Sequence, residues 1–237
     1  MSLSSINKAA IACIMFILPY AFSACSNEAY DTGDGSLSYM RADFVEASTD
    51  GNANIISATT DEGTVLTLSP SLQADWATTK DSTYRALLYY NIAEDNSSNT
   101  DVKPIAISNV LVPRILTDKK AAIIYPTDPV ALETAWLSPN KRYVNLGISL
   151  KTGKKDGKIE AQSLGIYLYD TVMTQDGKKC FKLSLIHDQN NVPEYYSTQV
   201  YISIPLYRLP AGVSEGDEVE IEINTYKGET TKVFHIK

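Results

Sequence analysis

Apolar and polar residues alternate along the second half of this chain, and this pattern limits the fold more than any other feature. In residues 217–224, DEVEIEIN, a valine and two isoleucines alternate with glutamates. The same period of two recurs in residues 143–150, 163–170 and 199–206. Successive side chains of a strand point to opposite faces, so each segment predicts a strand with one buried and one solvent-facing side. The chain is therefore predicted to be all-β.

Short segments rich in glycine, aspartate and lysine separate the predicted strands. They are TDEGT (60–64), KTGKKDGK (151–158), TQDGKK (174–179) and VSEGDE (213–218). Glycine and aspartate tolerate the backbone conformations of tight turns, so these segments predict hairpins. No long stretch has a helical period, and at most a short helical turn is expected near residues 72–79, LQADWATT.

The first half of the chain has a different pattern. Residues 84–92 and 104–112 carry apolar side chains on both faces, as strands of a small closed barrel do. Residues 116–129 mix charges, two prolines and a short apolar run, which is typical of a domain junction. We predict a β-barrel domain of about five strands at 38–118 and an antiparallel β-sandwich at 119–237.

The N-terminus has the pattern of an export signal. Lys8 precedes the apolar run 9–18, and small residues follow it. This order predicts a signal peptide over residues 1–24, because the run is shorter than the roughly 20 apolar residues that span a bilayer. The segment 22–25, FSAC, resembles the bacterial lipobox, although leucine is the usual first residue of that motif. The resemblance implies that Cys25 carries lipid; the alternative is an unmodified cysteine after an ordinary signal.

A lipid on Cys25 places the mature protein at the cell envelope. Residues 25–37 are rich in glycine, serine and aspartate and predict a flexible tether. The expected partner of Cys25 is then the lipid bilayer, and the expected location is the outer membrane. The periplasmic face and the cell surface both remain open. Cys180 is the only other cysteine after processing, so no intrachain disulfide is expected.

As a whole, the chain resembles the NigD-like lipoproteins of the Bacteroidota. The resemblance rests on the lipobox, on YMRADFVEASTDGNANIISATTDEGTVLTL (39–68) and on DSTYRALLYYNIAED (81–95). It continues through DPVALETAWLSPNKRYVNLGISL (128–150), FKLSLIHDQNNVPEYYS (181–197) and VYISIPL (200–206). It implies an N-terminal OB-like barrel, a C-terminal β-sandwich, and a non-enzymatic envelope lipoprotein with an accessory or bacteriocin-immunity-like role.

Nucleic acid is not an expected partner of this barrel. The formal net charge of the whole chain is −7 and becomes −8 once residues 1–24, which contain only Lys8, are removed. OB folds that bind nucleic acid need a basic groove with stacking aromatic residues. The second and third predicted strands, NIISATT (54–60) and TVLTL (64–68), contain no lysine or arginine and no aromatic residue. An acidic surface repels phosphates, which leaves a protein or a glycan as the partner.

The sequence contains no recognisable catalytic motif, and neither a cofactor nor a metal ion is expected. His187 and Asp188 in LIHDQNNVPEYY are the one place where a general base or a metal ligand deserves weighing, with Asn190 and Glu194 nearby. The structural alternative, a histidine at a strand end bonded to a loop carbonyl, is favoured because no second cluster of titratable residues converges there. His235 is expected at the surface or on an edge strand.

Tyr195 and Tyr196 are candidates for a contact surface. Tyrosine offers a flat apolar face with a polar tip, although adjacent strand residues point to opposite faces, so one of the pair could belong to the core. Lysines in the hairpin 151–158 could meet anionic headgroups or keep a strand edge soluble.

Three functions therefore compete. The first is an anchored protein that binds another envelope protein. The second is a glycan-binding lipoprotein with an aromatic platform around Tyr195 or Trp76, and the third is a hydrolase centred on His187.

Overall fold

The computed structural model describes residues 40–92, 100–118, 126–154, 157, 161–210 and 212–237. Cys25, the predicted signal peptide and the predicted tether lie outside these residues. Residues 41–237 form one compact unit. Within the described residues, no helix is long and apolar enough to cross a membrane.

The first five strands form a closed barrel. They are β1 (Arg41–Thr49), β2 (Ile55–Thr60), β3 (Val65–Leu72), β4 (Thr83–Ile92) and β5 (Asp101–Asn109). The order around the barrel is β1-β2-β3-β5-β4, with β1 and β4 paired antiparallel and β3 and β5 paired parallel. The interior is filled by side chains from all five strands, among them Val45, Ala58, Leu66, Leu88 and Val102. Five strands in this order make the OB-like barrel that the sequence predicts.

The remaining strands form two sheets packed face to face. One sheet has the order β13-β12-β10-β9-β6 and the other β11-β8-β7. The strands are β6 (Ile115–Leu116), β7 (Ala131–Leu137), β8 (Tyr143–Thr152), β9 (Ser163–Met173), β10 (Lys179–Asp188), β11 (Tyr196–Pro205), β12 (Glu218–Thr225) and β13 (Gly228–His235). Most pairs are antiparallel, while β6–β9 and β10–β12 are parallel.

The sandwich core comes from the apolar halves of the alternating segments. Val144, Leu146 and Ile148 of β8 face Phe181 and Leu183 of β10, and all five are fully buried. Val219, Ile221 and Ile223 of β12 belong to the same core. The prediction of an all-β barrel followed by a sandwich is thus confirmed. Removing these apolar side chains from water stabilises the sandwich.

One expectation about solvent exposure was wrong. The alternation in β8 predicts that Tyr143, Asn145 and Gly147 face water, yet all three are buried. The reason is that the barrel packs on this face of the sheet, where Phe44 of β1 makes edge-to-face contacts with Trp136 and Tyr201 at centroid distances of 5.2 and 5.3 Å. A strand with a polar face can therefore be buried on both sides when a second domain covers that face.

Two smaller expectations concern local structure. The segment near residues 72–79 contains no helix: β3 ends at Leu72 and a turn follows at 75–76. Within the described residues, a single turn of 3-10 helix occurs at Leu206–Arg208. The boundary between residues 118 and 119 stays a prediction. Strand β6 at Ile115–Leu116, on the barrel side of that boundary, pairs with β9 of the sandwich.

Candidate functional site

His187 is the next-to-last residue of β10, and its side chain is buried, with 1 % of the residue exposed. Its Nδ1 is 3.0 Å from the carbonyl oxygen of Asp128, and its Nε2 is 2.8 Å from Oε1 of Gln162. Its backbone also bonds to the segment 126–128. Both ring nitrogens are therefore engaged by neighbouring residues, as expected for a histidine that fixes a loop to a strand end.

The neighbours of His187 do not form a catalytic or metal-binding group with it. Asp188 accepts a hydrogen bond from the backbone N–H of Asn190 at 2.8 Å, which closes a tight turn. Glu194 bonds to Lys151 and Gln189 instead of the imidazole. The structure thus places these candidates in one loop region but does not orient them toward a common point, which a general base and its orienting group require.

Tyr195 and Tyr196 are both exposed, at 77 % and 46 %. The backbone N–H of Tyr195 donates to the carbonyl of Thr152 at 2.9 Å, and Tyr196 begins β11 opposite Thr152. Tyr226 is exposed as well, at 37 %. These three tyrosines with Lys151 and Glu194 are called the tyrosine end below.

An ion pair connects the parts of the tyrosine end. Nζ of Lys151 is 2.7 Å from Oε2 of Glu194 and 4.3 Å from the ring centroid of Tyr226. The hydrogen bond from Lys151 lowers the pKa of the Glu194 carboxyl below its usual range. Donating this hydrogen bond to Glu194 likewise raises the pKa of the Lys151 amine. Both groups are therefore charged at neutral pH beside the exposed aromatic rings, a combination common at protein interfaces.

The tyrosine end lies far from the barrel. β8 and β11 pair over ten residues, from Tyr143 opposite Pro205 to Thr152 opposite Tyr196. Because a strand rises about 3.4 Å per residue, these ends are roughly 30 Å apart. The barrel occupies the Tyr143 end. Lys154 of the lysine hairpin is exposed, while Lys155 and Lys158 lie outside the described residues.

Trp76 lies between β3 and β4 of the barrel. It is half-buried, packs against the barrel core and meets Tyr84 edge-on at 5.7 Å. Tyr195, at 77 % exposure, therefore presents more aromatic surface to solvent than Trp76 does, and a glycan platform around either residue stays a prediction.

A buried polar cluster joins the barrel to the sandwich. Both terminal nitrogens of Arg85 contact the carboxylate of Asp61 at 2.6 Å, and its Nε donates to Oγ of Ser203 at 3.0 Å. Ser203 in turn donates to Oδ1 of Asn145 at 2.6 Å. The guanidinium also stacks over the ring of Tyr143 at 4.2 Å. Each polar group arrives from a different strand or turn, so the cluster holds the two domains in one arrangement.

A cleft of about 550 Å³ opens beside this cluster. In it, Oε1 of Glu46 accepts hydrogen bonds from Arg142 at 3.0 Å and from the hydroxyl of Tyr143 at 2.7 Å. Burial, with the nearby hydroxyl of Tyr207 and the carboxylate of Glu46, raises the pKa of Tyr143 far above its ordinary value. Tyr143 is thus a neutral donor at all ordinary pH values. Sequence reasoning missed this site because its residues are remote in the chain; Glu46 and Tyr143, which bond to each other directly, are 97 positions apart.

Cys180 contributes to one further group of possible metal ligands. Its sulfur and carboxylate oxygens of Glu218 and Glu220 lie within 4.8 Å of one another. Each carboxylate already has a basic partner, since Lys182 is 3.5 Å from Glu220 and the exposed His235 is 3.0 Å from Glu218. Burial and the neighbouring glutamates raise the pKa of the Cys180 thiol to about 11. The thiol is therefore protonated at neutral pH and a weak metal ligand.

The fold and its site describe an all-β protein whose barrel is fixed to a sandwich by buried polar contacts. The family model described as the NigD-like C-terminal beta sandwich domain matches residues 114–236. The chain belongs to this family, as its sequence predicted. No curated protein sequence matches the chain.

Solved structures share this fold at low sequence identity. A NigD-like immunity protein from Bacteroides caccae is 19 % identical with a TM-score of 0.61, covering 82 % of this chain and 91 % of its own. A candidate toxin-related protein from Parabacteroides distasonis is 19 % identical with a TM-score of 0.62, over 82 % of this chain and 92 % of its own. A candidate lipoprotein from Bacteroides fragilis is 12 % identical with a TM-score of 0.58, over 84 % and 98 %.

Proposed function

We propose that this protein is a non-enzymatic lipoprotein of the cell envelope that binds a protein partner through its tyrosine end. The observation that carries the binding role is the exposure of Tyr195, Tyr196 and Tyr226 around a charged pair at one end of the sandwich. Large aromatic side chains of this kind supply much of the energy at protein interfaces. The engaged ring of His187 supports a structural, not a catalytic, role for that residue.

The proposal of a lipid anchor rests on the lipobox-like segment that ends at Cys25 and on the resemblance of the chain to NigD-like lipoproteins. Several acyl chains bury enough methylene groups to hold a soluble domain at a membrane stably, at about 0.8 kcal/mol per methylene. We expect the wild-type protein to incorporate an alkyne-labelled fatty acid in its native host and to pellet with membranes. The Cys25→Ser variant should do neither. An unlabelled wild-type protein would refute the anchor and leave the binding proposal to be tested separately.

Site-specific photo-crosslinking in intact cells tests the partner surface. A photo-reactive phenylalanine analogue at position 195 should form one discrete protein adduct. The matched control is position 173, because Met173 is exposed to a similar extent, at 65 %. Met173 is the last residue of β9, and the tyrosine end lies near the first residue of that strand. Tyr196→Ala and Tyr226→Ala should each reduce the yield of the adduct. Adducts of equal yield at both positions, or none at 195, would contradict a specific surface.

The finer role that we propose is of the immunity type, with a secreted toxin as the partner. The likeness to the Bacteroides caccae protein supports this refinement, since that protein is described as a NigD-like immunity protein. Deletion of the gene should then sensitise the host to a toxin of competing strains, and the wild-type gene should restore resistance. A crosslinked partner that is a permanent envelope component would reject the immunity role while keeping the binding role.

A further inference from the structure

Arginine is concentrated in the cleft between barrel and sandwich. The chain has only five arginines among its 21 basic residues, and three of them, Arg85, Arg142 and Arg208, line the cleft. The cleft volume of about 550 Å³ is within the range of small-molecule sites. The planar guanidinium presents a fork of N–H donors that matches a carboxylate or a phosphate, which the point charge of lysine does not.

Two of these arginines already hold carboxylates of the chain. Arg85 is bound to Asp61, and Arg142 is bound to Glu46. Arg208 is exposed, and the described part of the chain supplies no ion pair for it. Three arginines and two carboxylates therefore leave the cleft with one positive charge, located at Arg208, in a protein whose overall charge is strongly negative.

Tyr207 adds a hydroxyl beside this charge. Its ring packs against both exposed guanidinium groups, with Cζ of Arg142 at 4.6 Å and Cζ of Arg208 at 5.5 Å from the ring centroid. The hydroxyl of Tyr207 is 3.5 Å from that of Tyr143, too long for a strong hydrogen bond. Tyr207 is 45 % exposed. Its O–H and the fork of Arg208 are thus available to an acceptor that enters the cleft.

We infer that this cleft binds a carboxylate group, held by Arg208 and the hydroxyl of Tyr207. The residual charge of one favours a singly charged carboxylate over a dianionic phosphate, which would leave net negative charge beside Glu46. Glu46 itself shows how the cleft holds such a group, since a guanidinium and a tyrosine hydroxyl both donate to its Oε1. The carboxylate comes from a free organic acid or from an acidic side chain of a peptide. The site is separate from the tyrosine end and does not depend on it.

The test uses the full chain in detergent micelles and follows the Nε–H resonances of its five arginines by NMR. The probes are N-acetylglycine, a small free acid, and the peptide acetyl-Gly-Glu-Gly-amide, which offers only a side-chain carboxylate. N-acetylglycinamide is the neutral control, and inorganic phosphate is the dianion. We expect millimolar binding of a carboxylate probe with a shift of the Arg208 resonance, and no shift with the neutral amide.

Variants locate the site. Arg208→Gln should weaken carboxylate binding about ten- to hundredfold, the range for a charged hydrogen bond. Arg208→Lys should recover part of the affinity because it keeps the charge but not the fork. Arg41→Gln is the matched control and should bind as the wild type does, because Arg41, the first residue of β1, does not line the cleft. The probe that binds more tightly identifies the source of the carboxylate. Absence of millimolar binding, tighter binding of phosphate, equal binding of the neutral amide, or an equal loss in Arg41→Gln would each overturn the inference.

Discussion

The Asp61→Ala substitution removes the carboxylate that balances a buried guanidinium. The side chain of Arg85 is 1 % exposed, so its charge would remain in the junction without a counter-charge. Breaking a buried ion pair in this way costs about 3–5 kcal/mol. Ser203 and the ring of Tyr143 still contact the guanidinium, and the side chain of Asp61 is 10 % exposed, so water can reach the gap. These contacts place the expected loss near the lower limit, at about 3 kcal/mol of unfolding free energy.

Tryptophan fluorescence during urea unfolding measures this loss directly. The chain has two tryptophans, Trp76 in the barrel and Trp136 in the sandwich, and Trp136 touches Phe44 across the junction. Trp76→Phe leaves a single probe at the junction. We expect the transition of the Asp61→Ala variant to move to lower urea with little change in its slope, since the surface exposed on unfolding is similar.

Two controls separate the buried pair from charge effects in general. Glu194→Ala breaks an exposed ion pair whose side chains are 40 % and 44 % exposed, and it should leave the midpoint unchanged. The double variant Arg85→Met/Asp61→Leu should recover most of the loss, because apolar replacement of a buried pair is often nearly neutral. A loss below about 1 kcal/mol in Asp61→Ala, or no recovery in the double variant, would refute the reasoning.

Three further predictions concern single groups. His187→Ala should lower the unfolding free energy by about 1–3 kcal/mol, because it removes the imidazole that bonds to Oε1 of Gln162 and to the carbonyl of Asp128; unchanged stability in urea would argue against a structural role. Burial, together with a hydrogen bond to Asp43, raises the pKa of Tyr90 to about 12. The folded state therefore holds this proton more tightly than the unfolded chain, so its contribution is complete below pH 10 and is lost as the pH rises toward 12. Roughly 2 kcal/mol should disappear in that window, and Tyr90→Phe should flatten the decline measured by alkaline unfolding. Cys180, with its raised pKa and 3 % exposure, should react with a thiol reagent at neutral pH only after unfolding, and rapid labelling of the folded protein would contradict this.

The strands and the core could be predicted from sequence because the signal is local. Val219, Ile221 and Ile223 alternate with glutamates, and any strand through them places the apolar side chains on one face and the glutamates on the other. The position of His187 at a strand end follows from the same parity, since it continues the series of Phe181, Leu183 and Leu185. The exposure of both Tyr195 and Tyr196 could not be predicted from the pattern, because adjacent strand residues point to opposite faces and either tyrosine could have belonged to the core.

The junction could not be predicted in this way. Tyr143, Asn145 and Ser203 occupy the polar positions of alternating strands, which look the same whether they face water or a second domain. Arg85 lies 118 residues from Ser203 in the chain, and no local pattern connects them. A buried polar side chain is stable only when its partners are in place, and those partners are known only once the fold is known.

The sequence by itself determined the strands, the two cores and the family, because burial of alternating apolar side chains depends on neighbours two residues apart. Only the tertiary structure decided which polar faces are covered and where the arginines gather. The contacts that hold barrel to sandwich, and the cleft beside them, depend on distances between residues that are remote in the chain.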